Sequence, residues 1–339
     1  MKLIKTEDAV GHVLCHDLTQ IIKDQYKDAR FRKGHVVTQE DIPVLLSMGK
    51  EHLYVWEMTP GMLHENDAAE RLYALCVGDH MDRSEVKEGK IELKAACDGL
   101  FRVNSEKLMA VNSIEDIMIA TRKGGTAVRK GDKLAGMRVI PLIIPEEKLQ
   151  AAEQAAGDTP LLELKPWVRR TAAIVATGSE GKKGLIQDTF TPVVKDKLAF
   201  YGIETLSVSY SGDGVENVAN AIAEARATGA DVILCTGGMS VDPDDNTPGG
   251  IKESGAKIIT YGAPVLPGAM FLLGYYDDGT PVMGLPGCVM YAGATIFDLV
   301  LPFVAADVPV TRQQIVALGE GGLCLGCKPC HWPACPFGK

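Results

Sequence analysis

Aromatic residues make up 6% of this 339-residue chain, and basic residues are outnumbered by acidic ones 44 to 35, for a net charge of −9. Single-strand binding needs stacking platforms, and phosphate-backbone binding runs on dense Lys/Arg patches, so the composition argues against a nucleic-acid partner. A small anionic ligand remains compatible if its pocket supplies positive potential locally, against the overall field. Long apolar runs are also missing. The most apolar late stretch, Thr295 to Ala306, is broken by Asp298 and Pro302 and is too short to span a bilayer. Glu7 and Asp8 stand where an export signal needs an apolar segment. A cytoplasmic protein with no membrane partner is expected. Hydrophobic residues at 46% and charged residues at 23% are ordinary for a globular chain, whose length allows two or three domains.

Cysteine is present but unevenly placed. Cys15, Cys76, Cys97, Cys235 and Cys288 are scattered singly, as reduced thiols are, while four of the nine crowd into the last sixteen residues. The run Cys324-x₂-Cys327-x₂-Cys330-x₄-Cys335-Pro336 nearly repeats a bacterial ferredoxin pattern, with the last spacing one residue longer. A tetrahedral Zn²⁺ held by the four cysteines, or with His331 replacing one, is the rival, and a redox-labile unstructured tail is the third reading. Gly319 to Lys339 has little apolar content, so a metal is expected to fold it.

The pattern divides the chain into residues 1–60, 61–168, 169–306 and 307–339. The first is a small β-rich α+β unit, with a helix from Asp41 to Met48 and a closing strand at His52-Leu53-Tyr54-Val55-Trp56. The second is mixed and mainly β, with a helix over Glu65 to Val77 and strands at Gly89–Leu93, Leu108–Val111, Ile117–Thr121 and Leu134–Ile144. Glu146 to Ala156 reads as helix and Gly157 to Pro166 as a linker. In the third, apolar strands at Ala172–Thr177, Ile203–Tyr210, Asp231–Thr236 and Pro281–Leu285 alternate with helices near Pro192–Tyr201, at Val215–Thr228 and ending near Pro302. That alternation predicts an α/β fold with a three-layer parallel sheet covered on both faces. Val218, Ala221, Ile222 and Ala225 supply one buried stripe, and Asp213 and Glu216 have the spacing of a capping box.

Ligands of such sheets bind at the carboxyl ends of the strands, where loops offer free amides. Three loops fall there: Thr177 to Gly184 with Lys182 and Lys183, Gly237 to Pro248, and Gly284 to Cys288. They are either an anion site or the turns that any doubly wound sheet requires. Asp242, Asp244 and Asp245 are hard oxygen ligands suited to Mg²⁺, or else caps for the helix that begins near Thr247-Pro248.

These residues carry a resemblance. Thr177-Gly178-Ser179-Glu180, Asp188-Thr189-Phe190, Asp213-Gly214, Thr236-Gly237-Gly238-Met239-Ser240-Val241 and Gly284-Leu285-Pro286-Gly287 occur in the order and spacing of the molybdopterin-binding domain of molybdenum-cofactor biosynthesis. The chain resembles molybdopterin molybdenumtransferases in particular; the Ala9–Leu14 and Arg32–Val37 segments are weakly similar to the start of those enzymes. The resemblance implies binding of adenylylated molybdopterin and insertion of molybdate with release of AMP. It implies catalytic roles for Asp242, Asp244 and Asp245, with Mg²⁺ or molybdate on Asp244 and Asp245. It implies pterin or nucleotide contacts from Thr177, Gly178, Ser179, Glu180, Lys182, Asp188, Gly237, Gly238, Ser240, Thr247, Pro286, Gly287 and Cys288. A homodimer is expected by analogy, with a molybdoenzyme or another cofactor-biosynthesis protein as partner.

The pattern also departs from the transferases. Pro267-Gly268-Ala269-Met270 stands where they have Pro-Gly-Lys-Pro, Cys288 follows Gly287, and 37 residues follow Pro302 where they have a further β domain. A non-enzymatic cofactor carrier or maturation factor with an Fe–S or Zn tail is therefore the alternative. Cys288 at a helix start is expected to have a lowered pKa and to approach the dithiolene or metal; otherwise it is a small core residue.

Overall fold

The computed structural model describes residues 2–22, 26–55, 60–178, 188–243 and 245–339. It divides into two compact units, the first comprising Met1–Ala96, Val103–Gly124 and Lys130–Glu163, the second Cys97–Arg102, Gly125–Arg129 and Leu164–Lys339.

In the first unit, Lys2–Lys5 pairs antiparallel with His52–Val55 and Leu18–Ile22 with Tyr26–Phe31. Leu14, Phe31, Val37, Leu45 and Leu53 form their common core. Trp56, expected at the end of the closing strand, lies outside the described residues. Further on, a four-stranded sheet runs in the order Met81–Arg83, Ile91–Ala95, Lys133–Val139, Ile117–Thr121. Two expectations fail in this region. Leu108–Val111 is not a strand but part of the helix Ser105–Asn112, because the Asn104 side chain accepts from Lys107 N at 3.2 Å and caps it. Gly157–Pro166 is not a bare linker, since Leu162–Pro166 is a strand with Leu162 and Leu164 buried.

The second unit is built on a six-stranded sheet. Its strands, numbered within that sheet, are β1 (Thr171–Thr177), β2 (Glu204–Ser211), β3 (Val232–Thr236), β4 (Lys257–Tyr261), β5 (Leu272–Tyr275) and β6 (Pro281–Leu285). The spatial order is β2-β1-β3-β6-β5-β4. β2, β1, β3 and β6 are parallel, and β5 is antiparallel to both of its neighbours. Its helices are α1 (Phe190–Ala199), α2 (Val215–Ala227), α3 (Thr247–Glu253), α4 (Ile296–Ala305) and α5 (Arg312–Ala317).

Successive residues of a strand face opposite sides of the sheet, which sorts the core into two layers. Ala172, Ile174, Val232, Leu234 and Met283 pack with Val194 and Leu198 of α1 and Phe297 and Val300 of α4. Ala173, Val175, Ile233, Cys235 and Val282 pack with the α2 stripe of Val218, Ala221, Ile222 and Ala225 and with Ile251 of α3. Strands buried on both faces explain why these segments read as continuous apolar runs. The fold is thus the expected α/β class, with one strand reversed near the sheet edge.

Helix boundaries follow local chemistry more than spacing. Asp213 and Glu216 form no capping box: Gly214, at φ 102°, is the N-cap of α2 with no side-chain cap bond, and the Asp213 carbonyl accepts instead from Asn217. Capping boxes lie instead at α4, where Thr295 and Asp298 satisfy each other's amides, and at α5, where Thr311 and Gln314 do. α4 also runs past Pro302 to Ala305, because burial of Val300, Leu301, Val304 and Ala305 outweighs the lost backbone bond. The tail after α5 is held by the domain itself: Leu266 N donates to Gly322 O and Cys324 N to Leu266 O, both at 2.8 Å, and Phe337 is 3% exposed in the main core. The expectation that Gly319–Lys339 lacks the apolar content to order itself fails there, since Phe337, Trp332 and Cys335 join an existing core.

Candidate functional site

β1, β2, β3 and β6 end level with one another: Thr177 is opposite Ser211, Ala176 opposite Thr236, and Thr236 opposite Leu285. The loops that follow β1, β3 and β6 therefore leave along a single rim. The chain passes from β1 outward to β2, then back across to β3 on the other side of β1. That reversal between β1 and β3 opens a crevice, the place where open α/β sheets bind ligands.

The residues at this reversal are tied together. Thr177 Oγ1 donates to Thr236 O at 3.1 Å, and lies 2.8 Å from Thr247 Oγ1 at the start of α3. Thr247 N donates to Gly238 O at 3.2 Å, and Thr247 is 1% exposed. Gly237 and Gly238 have φ of +85° and +56°; a Cβ on the first would lie 2.5 Å from Thr177 O and on the second 2.6 Å from Thr247 Oγ1. Only glycine lets the main chain pass so close, and the cradle it leaves is shaped by backbone.

The acidic loop is organised around Asp245. Its Oδ2 accepts from Ser240 N at 2.8 Å, and its own amide donates to Asp242 O at 2.9 Å. The carboxylate closes the loop rather than capping α3, whose N-cap Asn246 makes no side-chain cap bond. Tyr261, from the far strand β4, donates to Met239 O at 3.0 Å, and burial together with Asp245 raises its phenol pKa. Asp242 and Asp245 are thus one loop turn apart. Mg²⁺ is commonly held by one or two carboxylates with water and substrate phosphates completing its octahedron, so this donor set fits it. Among the described residues no three His, Cys, Asp or Glu groups converge to hold a metal ion.

Asp188 has a different place. Its Oδ1 accepts from Phe190 N at 3.0 Å and Thr191 N at 2.9 Å, capping α1, and its Oδ2 accepts from Tyr210 at 3.0 Å. Burial would raise its pKa, but these bonds outweigh burial and hold the carboxyl below its ordinary range. Thr189 Oγ1 contacts Met290 Sδ at 3.7 Å, which ties the start of α1 to the short 3₁₀ turn Gly287–Met290. Cys288 sits in that turn, after Pro286 and Gly287. Its thiol pKa is raised, by burial first and by the Asp298 carboxylate, so the lowered value expected at a helix start is not realised. Gly178 N donates to Ser211 O at 3.2 Å; Ser179, Glu180, Lys182 and Asp244 lie outside the described residues.

Sequence reasoning missed Tyr210, Tyr261 and the pair Lys197–Asp298, whose 2.5 Å contact braces α1 against the N-terminus of α4. Each sits on a separate element with no local motif. The four tail cysteines line one cavity beside Tyr291–Ala294, the segment that follows the 3₁₀ turn.

Comparison with known proteins bears on the α/β domain. Residues 173–306 match the family described as "Probable molybdopterin binding domain", and residues 3–57 match a domain of unknown function. The α/β domain is thus similar to the molybdopterin-binding domains of molybdenum-cofactor biosynthesis. A CinA-like protein of Desulfosudis oleivorans is 36% identical over 86 residues, which are 25% of this chain and 21% of that protein. The chain thus spans about a fifth of the length of that relative. Among solved structures, the protein CinA from Thermoplasma acidophilum is 17% identical with a TM-score of 0.34, over 40% of this chain and 98% of that one. A molybdopterin biosynthesis moea protein from Pyrococcus horikosii is 16% identical with the same TM-score of 0.34, over 91% of this chain and 75% of that one. No helix among the described residues is long and apolar enough to cross a membrane.

Proposed function

We propose that the rim binds adenylylated molybdopterin and that the chain inserts molybdate into it with release of AMP. The observation that carries this reading is the knot of Thr177, Gly237, Gly238 and Thr247 at the strand reversal, a backbone-walled crevice inside a domain similar to molybdopterin-binding ones. In that crevice the glycine backbone approaches the phosphate, and the bonded threonine pair fixes the start of α3 against β1. Asp245 holds the acidic loop closed on Ser240, which keeps Asp242 and Asp245 at the mouth. These two carboxylates, with Asp244, would hold Mg²⁺, which when bound offsets the charge of the phosphates. Asp188 and Tyr210 position the start of α1 beside the same rim. On this reading the chain works in the cytoplasm as a homodimer and hands its product to a molybdoenzyme or another cofactor-biosynthesis protein.

Mg²⁺-dependent release of AMP from adenylylated molybdopterin on adding molybdate is the test. Asp245→Asn keeps an acceptor for Ser240 but removes the charge, and should slow release by about 10²-fold, as loss of one charge-stabilising contact does. Exposed Lys195→Ala should stay within about twofold. Equal effects would remove Asp245 from the site. Ala269 and Met270 bring no cation to the phosphate, which favours a second reading, a carrier. Stoichiometric pterin binding with no AMP release would establish it.

A further inference from the structure

The cysteine tail is absorbed neither by the pterin site nor by the two matched families, and it is a built part of the fold. Cys324, Cys327, Cys330 and Cys335 line a single cavity of about 370 Å³, together with His331 and Trp332. None of the four is in a disulfide. The cavity is shaped by the folded domain, not by the tail alone. Cys324 N bonds Leu266 O at 2.8 Å, Gly338 N bonds Gly321 O at 3.0 Å, and Lys339 donates to the Pro333 carbonyl. Phe337 is buried in the main core, with Trp332, Cys324 and Cys335 packed against it. The opposite wall is cut to receive a thiol: a Cβ on Gly293 would lie 2.7 Å from Cys330 Sγ. Cys327 and Cys330 face the open side, while Cys324 and Cys335 are partly enclosed.

We infer that this cavity holds an iron–sulfur cluster ligated by Cys324, Cys327, Cys330 and Cys335. Four thiolates are the ligand set of such clusters, and the Cys-x₂-Cys-x₂-Cys-x₄-Cys tail brings four cysteines to one cavity. The two soft guests differ in how tightly they gather the thiolates. Zinc draws its sulfurs to about 2.3 Å from one centre, which leaves no room among them. All four cysteines line the same cavity, although among the described residues no three ligating groups already converge on one point. A cluster places iron and sulfide between the thiolates and fills that space. Trp332 and Phe337 give Cys324 and Cys335 an apolar surround, while Cys327 and Cys330 are exposed, and such solvent access is a recognised control on cluster potential. The site lies beside the segment that continues from the 3₁₀ turn of the rim, but the assignment does not depend on the pterin reading.

The full chain, purified without oxygen, is assayed for iron, acid-labile sulfide and zinc, with its visible absorption recorded before and after dithionite. The expected result is iron and sulfide in equal amounts, at about two or four per chain, with absorption that bleaches on reduction. Cys327→Ser and Cys330→Ser, at exposed positions, should each lower bound iron about tenfold, whereas Cys288→Ser should leave it unchanged. Far-UV circular dichroism of each variant reports the fold. Zinc near one per chain without sulfide, or no metal after reconstitution of the wild-type chain with iron and sulfide, overturns the assignment. Pterin binding, measured on the same samples, separates this outcome from failure of the proposed function.

Discussion

Replacing Gly237 by alanine probes the rim where backbone meets backbone. The residue sits at φ +85°, and a Cβ there lies 2.5 Å from Thr177 O and 3.1 Å from Thr177 Oγ1. The left-handed conformation costs a non-glycine residue about 1–2 kcal/mol. The carbonyl it meets belongs to the end of β1, held in register with β2 and β3, so it cannot rotate aside as a side chain would. Forcing it away adds an overpacking cost of about 1–3 kcal/mol, for about 2–5 kcal/mol in all. Gly229 is the control: it has φ +75° with nothing within 4 Å, so Gly229→Ala carries the conformational cost alone. For a domain of this size each kcal/mol is worth about 2–4 °C in Tm. Calorimetry should show a drop of a few degrees for Gly229→Ala and about twice that for Gly237→Ala. Titration with pterin, followed by fluorescence after oxidation, should show weakened binding for Gly237→Ala alone. If both variants lose the same Tm and bind equally, the close approach of the two loops is not what shapes the crevice.

Two further outcomes follow from the same geometry. Lys197→Met leaves Asp298, 6% exposed, with Thr295 as its remaining partner, and should cost about 3 kcal/mol in urea unfolding; a loss under about 1 kcal/mol would show that the pair does not brace α1 against α4. Asp188→Asn keeps the acceptor for Phe190 and Thr191 N but not the charge. The Asp188 carboxyl titrates below its ordinary 3.8 when folded, so its contribution is complete above about pH 4 and disappears as the pH falls through the folded value. The stability gap between wild type and Asp188→Asn, about 1 kcal/mol at pH 7, should close as the pH falls below 3.8 and through the folded value, and a gap that stays constant across that range would refute the cap.

The pattern of residues revealed the α/β domain because its signals are short-range. Apolar runs such as Ala172–Thr177 have to be buried on both faces, the α2 stripe repeats at helical spacing, and glycine pairs mark where the chain must turn. β4 and β5 were not recognised, since Lys257–Tyr261 and Leu272–Tyr275 are short segments without the long apolar run of the central strands, although each pairs with its neighbour in the chain. Leu108–Val111 misled for a related reason: a four-residue apolar segment suits either helix or strand, and the Asn104 cap decides between them. Asp188 was picked out by its motif; its cap of α1 is local, and only its bond to Tyr210 depends on where β2 runs.

Local chemistry in the amino-acid order determined which segments form the parallel layer, which turns can lie near an anion, and that four thiols stand close along the tail. Tertiary structure alone decided that Thr177, Gly237 and Thr247 meet at the reversal of strand order, that Cys288 is held beside Asp298 with its pKa raised, and that the tail closes a cavity against Gly293. The physical reason is range. Periodicity, capping and turn formation act over a few residues, whereas close approach, burial and the field at a thiol are set by atoms that only folding brings together.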